Sequence, residues 1–308
     1  MFAWLSYAIY RQIVKQPQLE ESWFSIRQSF QSLKILYLIG AAVLIAANWG
    51  IEARKWMISV RTFYPIKFIH AFKAVLSGVS FSVTMPNRVG EYLGRMVYLP
   101  EGNRLKTISV TLVGSFAQLL VTIVVGTIGL IVLKSSLISQ FPQLKIWYQF
   151  IVYGLLVIIL GMLLVYFNVA GTVSLFNKWI KSRNYIFLVE ALQNFHASLL
   201  GKLLFLSFLR YIVFIVQYIL VFYLFEVNVP VDVIATVMSV VFLAMAVIPS
   251  IALVEVWLRG EISIKLMGLF SLNILGIGFT SVTVWFINLI LPAIVGSLLL
   301  LSLRVFKK

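Results

Sequence analysis

The sequence predicts an all-α polytopic membrane protein, and three observations carry that prediction. Hydrophobic residues make up 61% of the chain and charged residues 11%, where soluble domains carry roughly 25% charged. Several apolar runs exceed the roughly 18 residues that read as a membrane span. Those runs are continuous Leu, Ile and Val, not the short alternating segments of a β-barrel. The pattern corresponds to about seven or eight transmembrane helices, with two proline-centred re-entrant hairpins among them.

The formal charge of +15 comes from Lys and Arg confined to the connections. Such a balance suits nucleic acid, or the positive-inside bias together with anionic lipid headgroups. With no soluble domain to present a groove, nucleic acid is not expected. The expected partners are membrane lipids with anionic headgroups, at a multi-pass site in the cell (inner) membrane. There is no cysteine, which excludes disulfides and Cys-based zinc or thiol chemistry. His70 and His196 lie in different connections without acidic partners at ligand or triad spacing. No cofactor, metal site or enzymatic activity is therefore expected.

Taken in order, residues 1–32 read as a truncated first span and an interfacial segment. The first nine residues are apolar but too short to cross, so the true start is expected upstream of Met1. Arg11, Lys15, Glu20, Glu21 and Arg27 then mark the interface. No basic stretch opens the chain as in a cleavable signal peptide.

Residues 33–170 form a first membrane half. The span 33–51 ends in a charged cluster, Glu52, Arg54 and Lys55, flanked by Trp49 and Trp56. That end reads either as an interfacial anchor or as a solvated helix terminus. Residues 68–83 are short and hydroxyl-rich, with Ser77, Ser80 and Ser82, which suits a re-entrant helix. Spans 107–133 and 146–167 follow. Gly126 and Gly129 in the first of these read as close helix packing.

Residues 171–202 form an amphipathic connection, placed on the cytoplasmic side by Lys178, Lys181 and Arg183, with Trp179 and Phe187 at the interface. The second membrane half, 203–308, opens with a span at 203–225, where Arg210 and Gln217 share a face. Residues 226–232 are the one net-acidic loop. An apolar stretch at 233–247 is interrupted by Pro249, and spans at 263–279 and 283–303 complete the half. Gln118, Gln217, Asn273 and Asn288 read as hydrogen-bonding partners for neighbouring helices.

Within this lipid-suited chain, residues 85–95 stand out: a proline, three charges and two glycines. Charge embedded at such a place is a functional-site hypothesis by default. Pro86 resists helix continuation, so a new helix is expected to start near Asn87, with Glu91 and Arg95 sharing a face. The alternative is a cytoplasmic turn with a solvated ion pair. A faint repeat accompanies it. Pro86, Glu91 and Arg95 are echoed by Pro249, Glu255 and Arg259, each set following a short apolar segment. Inverted halves would follow, an arrangement associated with transporters. They would place the C-terminus outside, whereas its basic tail, Arg304, Lys307 and Lys308, places it inside; both stand at this point.

With Pro86, Arg88, Gly90, Glu91 and Arg95 in a Pro-x-Arg-x-Gly-Glu-x-x-x-Arg pattern, and with Glu52 to Trp56 upstream, the chain resembles the flippase-like family. This is the membrane region shared by lysylphosphatidylglycerol synthases, and the likeness covers roughly 33–303. The resemblance implies a helical domain tied to translocating lipids or lipid-linked molecules. It departs at the second motif, where no glycine precedes Glu255. No aminoacyl-transferase domain follows Lys308, so that activity is not implied.

Arginine grips phosphate bidentately, and a nearby carboxylate can hold it while the site is empty. The expected substrate-binding set is Arg88, Glu91, Arg95, Glu255 and Arg259. Pro86, Gly90 and Pro249 are the expected structural positions. The function expected is a carrier or flippase for an anionic lipid or lipid-linked phosphate. The rivals are a lipid-modifying transferase using Glu91 or Glu255 as general base, and an accessory subunit without its own site.

Overall fold

The computed structural model describes residues 19–83, 85, 90–169, 171–172, 191–192, 194–248 and 252–305. Their elements are helical: α1 Leu19–Phe30, α2 Ile35–Val60, α3 Phe68–Ser82, α4 Gly90–Met96, α5 Glu101–Arg104, α6 Lys106–Val132 and α7 Lys134–Gln140. There follow α8 Leu144–Phe167, α9 Ala197–Leu224, α10 Val231–Val247, α11 Ala252–Met267, α12 Ile274–Trp285, a π-helical turn Phe286–Ile290 and α13 Leu291–Val305. Among the described residues, five stretches are long and apolar enough to cross a membrane: α2, α5 with α6, α8, α9, and the continuous run from Ile274 to Ser302. The protein is a multi-pass membrane protein. α3 and α10 are shorter apolar helices, which brings the apolar elements to seven.

α8 illustrates why these are lipid-facing elements. Trp147, Phe150, Val157, Leu160 and Leu164 are all exposed, and a helix apolar all round needs lipid as its solvent. Two sequence boundaries are corrected. The stretches 263–279 and 283–303 are not separate spans: the chain turns at 268–273 and then runs unbroken from Ile274. The turn is set by Asn273, whose side chain accepts the Gly276 N–H at 2.8 Å and donates to the carbonyls of Phe225 and Glu226. Hydropathy misses it because apolar residues lie on both sides. Likewise α2 does not end at residue 51 but continues to Val60, carrying its charges inside the helix. The expected truncated first span, most of the connection 171–202, Pro86, Arg88 and Pro249 lie outside the described residues.

By packing, the chain divides into two units. One holds residues up to Ala46, Thr122–Leu155 and Ile212–Ile290; the other holds Ala47–Val121, Leu156–Tyr211 and the chain from Leu291. The five long stretches contribute to both, whereas α10 and α11 lie wholly in the first and α3 and α4 wholly in the second.

In the α3–α4 unit the two short helices meet backbone to backbone. A Cβ at Gly94 would overlap Gly78 N and Ser77 O, and one at Gly78 would lie 2.8 Å from Glu91 O. Glycine is therefore required on both sides of this seam. α13 closes on α3 in the same way, with Gly296 against the Leu76 carbonyl and Ser80 hydrogen-bonded to Ser297 at 2.6 Å.

In the α10–α11 unit, Gly126 and Gly129 of α6 lie against α10; a Cβ at Gly126 would stand 2.5 Å from the Leu243 Cβ. Gln217 donates to the Ala41 carbonyl and accepts from Asn288, each at 3.0 Å. α9 ends at Glu226, whose φ of 59° is left-handed. The Val227 N–H reaches back to the Phe222 carbonyl at 2.9 Å and the Glu226 N–H to Tyr223 at 3.4 Å, the pattern of a Schellman cap. The Glu226 carboxylate accepts from Ser29 at 2.6 Å and Lys34 at 2.5 Å.

A charged candidate site within the α3–α4 unit

α2 presents one polar face to the interior. Asn48, Glu52, Lys55 and Ser59 are buried on it together with Trp49 and Trp56. Their spacings of three and four residues place them on one side of the helix. Glu52 is the hub. It is 6% exposed and faces three cations: Lys55 at 2.9 Å, Arg95 at 3.1 Å and Arg210 at 3.2 Å. Asn48 accepts the Arg210 Nε–H at 2.6 Å, and the Arg210 guanidinium lies 5.1 Å from the Trp49 ring centroid. Lys55 also donates to Ser207 at 3.3 Å. One carboxylate therefore gathers α2, α4 and α9.

The Glu91–Arg95 pair contributes from α4. Arg95 is 2% exposed and bridges two acids, Glu52 and Glu91, the latter at 3.0 Å one helical turn away. The pair is not a solvated turn. The close seam explains why a glycine-bearing helix carries it: the small residues at Gly90 and Gly94 let Arg95 enter at backbone distance from α3. Arg95 Nε–H has no hydrogen-bond partner among the described residues.

Glu255 and Arg259 form their own pair in the α10–α11 unit, again one turn apart. Arg259 also donates to the Tyr218 hydroxyl at 3.3 Å and lies 5.9 Å from the Phe242 ring centroid. Among the described residues this set has an aromatic setting and pairs Glu255 with one arginine. Gly90 is placed at the start of α4.

Sequence reasoning missed Glu52, Lys55 and Arg210 as site residues. The signal was present as the helical recurrence of polar and tryptophan residues from Asn48 to Ser59. It was hidden because the span was closed at residue 51. Among the described residues of this cluster, Lys55, Arg95 and Arg210 supply three positive charges and Glu52 and Glu91 two negative charges, an excess of one. Chemically the cluster can hold guanidinium groups rigid, offer donors and accept an anion; an uncompensated charge out of water is costly.

Comparison with known families matches residues 19–254 to the model described as the lysylphosphatidylglycerol synthase TM region. No curated protein and no solved structure matches the chain.

Proposed function

The chain belongs to the lysylphosphatidylglycerol synthase transmembrane-region family, and from that membership we propose that it is a carrier or flippase for an anionic lipid or lipid-linked phosphate in the cell (inner) membrane. One observation carries the reading: the buried cluster around Glu52, in which, among the described residues, cations exceed carboxylates by one. A phosphate supplies the missing negative charge, and arginine is the residue suited to its planar, two-donor recognition. Glu52 and Glu91 hold Arg95 in place when no phosphate is present. Arg88, adjacent in sequence, joins the same proposed set.

The Glu255–Arg259 pair is proposed as a second, weaker phosphate contact. Its guanidinium is already matched by the Glu255 carboxylate one turn away. Glu91 and Glu255 are each engaged by an arginine one turn away. That supports a gripping role for them and not that of a free general base.

The test is reconstitution into liposomes with a labelled anionic phospholipid, a labelled zwitterionic one, and analysis of both lipids for chemical change. The expected result is translocation of the anionic lipid unchanged, and its loss in Arg95→Lys, which keeps the charge but not the fork. Chemical conversion of the lipid would favour a transferase. Equal movement of both lipids, insensitive to Arg95→Lys, would overturn the reading.

A further inference from the structure

A second polar surface in the α3–α4 unit lies beside the cluster without belonging to it. On α6, Thr107, Ser109 and Thr111 are all buried, and none of their hydroxyls has a hydrogen-bond partner among the described residues. Elsewhere in this molecule some buried helical hydroxyls donate to the carbonyl four residues back, as at Thr127, Ser239 and Thr280, while Ser263 and Ser281 also have no partner among the described residues; α6 differs in carrying three such groups within five residues. An unpaired buried hydroxyl costs about 1–3 kcal/mol, and ordered water is what ordinarily satisfies such groups.

The direction of these hydroxyls follows from helix geometry. At about 100° per residue, Thr107, Thr111, Gly114 and Gln118 fall along one narrow arc, with Ser109 and Val113 away from it. Contacts fix where the inner end of that arc points. A Cβ at Gly114 would lie 3.5 Å from the Lys55 Cε. Gln118 donates to the Ser207 carbonyl at 3.3 Å, and Ser207 receives Lys55 on its hydroxyl. The outer end is the first turn of α6, next to the exposed Glu101 and Gly102 of α5. Thr107 and Gly114 are about 10 Å apart along the axis, the length of a short file of water.

We infer that the Thr107–Thr111 face of α6 is a hydrated approach to the Lys55–Glu52 pair, along which a phosphate group reaches the cluster. The water part stands on the Thr107 and Thr111 hydroxyls together with the contacts of Gly114 and Gln118 on the same face, Ser109 lying off it, whereas the phosphate part rests on the carrier reading. Gly114 leaves the Lys55 stem room at the inner end. The hydroxyls both donate and accept, so they suit water when the site is empty and phosphate oxygens in transit.

The absence of cysteine makes the test clean. Thr107→Cys, Thr111→Cys and the control Val113→Cys are reconstituted in phosphatidylcholine vesicles and treated with a charged, membrane-impermeant thiol reagent. The first two are expected to react about tenfold faster than the control, since thiol reactivity follows access to water. Equally slow reaction at all three overturns the inference. Isosteric Thr111→Val gives a reading that needs no label. Losing a hydrated hydroxyl lowers the melting temperature; losing a dry, unpaired one raises it, and a rise also overturns the inference.

The ligand part is read by adding phosphatidic acid to the vesicles or inorganic phosphate to the buffer. Slower labelling with phosphatidic acid alone supports a lipid headgroup as the traveller. Slower labelling with both supports phosphate as such. Fast labelling that neither compound slows upholds the water path, overturns the phosphate passage and counts against the carrier reading.

Discussion

Glu52 and Glu91 both meet Arg95, but Glu52 also faces Lys55 and Arg210 and is the more buried of the two. Removing one partner of a buried ion pair costs about 3–5 kcal/mol, because it strands the other. Glu52→Gln is therefore expected to lower detergent thermostability by an amount in that range, and Glu91→Gln by less. Adding Lys55→Met to Glu52→Gln removes one stranded cation and is expected to recover part of the loss; differential scanning fluorimetry of the single and double variants checks the order. Glu226 offers a separate residue-scale test. Burial opposes its ionisation, but hydrogen bonds from Lys34 and Ser29 and the Lys34 charge outweigh that, holding its carboxyl below the usual carboxylate range. A lowered folded-state pKa means stability that is present above the unfolded value, about 4.3 for Glu, and is lost as pH falls through the folded one. Melting in an acid series is expected to show this fall in the wild type and a shallower one in Glu226→Gln. Because φ is 59° there, Glu226→Gly is expected to melt above Glu226→Ala, by about 1 kcal/mol of backbone strain.

The α3–α4 seam is where an element lives or dies by the absence of a methyl group. Gly78 and Gly94 face backbone atoms that have no rotamer to yield, so Gly94→Ala is expected to cost about 1–3 kcal/mol and to displace Arg95. Gly154 and Gly161 on lipid-facing α8 have nothing within 4 Å, and alanine there is expected to be neutral or slightly stabilising through helix propensity. Expression and melting of these variants separate the two cases. The sequence made α4 legible through its proline, its glycines and the four-residue spacing of Glu91 and Arg95. It left the burial of Glu52 illegible, since charge beside tryptophan looks the same at a wet helix end as in a polar core. What distinguishes them is the partner set, and Arg95 and Arg210 lie 43 and 158 residues away. The turn at Asn273 was equally hidden, because its signal is a side chain capping a helix and not a dip in hydropathy.

At the scale of the molecule, joining 274–302 into one span changes the count that sidedness depends on. Between the α3–α4 pair and the α10–α11 pair lie three helices long enough to cross, α6, α8 and α9, and an odd number is the count that inverted re-entrant pairs would require. On that reading the run 274–302 is one further crossing, and the C-terminal end is expected on the same face as the connection between α8 and α9. With five spans instead of six, the expectation of inverted hairpins and that of a basic cytoplasmic tail are compatible. The predicted cytoplasmic face carries Arg61, Lys67, Arg104, Lys106, Lys178, Lys181 and Arg183, as the charge rule requires, and the opposite face carries Glu226. His70→Cys and Gly102→Cys are expected to label from the cytoplasmic face and Leu272→Cys from the other. Labelling of His70→Cys and Gly102→Cys from opposite faces would mean that α3 crosses fully.

The hub at Glu52 also has a history in time. Chains are made from the N-terminus, so α2 carries its carboxylate towards the membrane before Arg95 exists and long before Arg210 does. Lys55, three residues on and 2.9 Å from it in the finished protein, is present almost at once. During synthesis it is the first counter-ion within reach of that carboxylate, in a helix whose charges, Glu52, Arg54 and Lys55, sum to +1. The arginines join later, so the hub around Glu52 is complete only once α9 has been made.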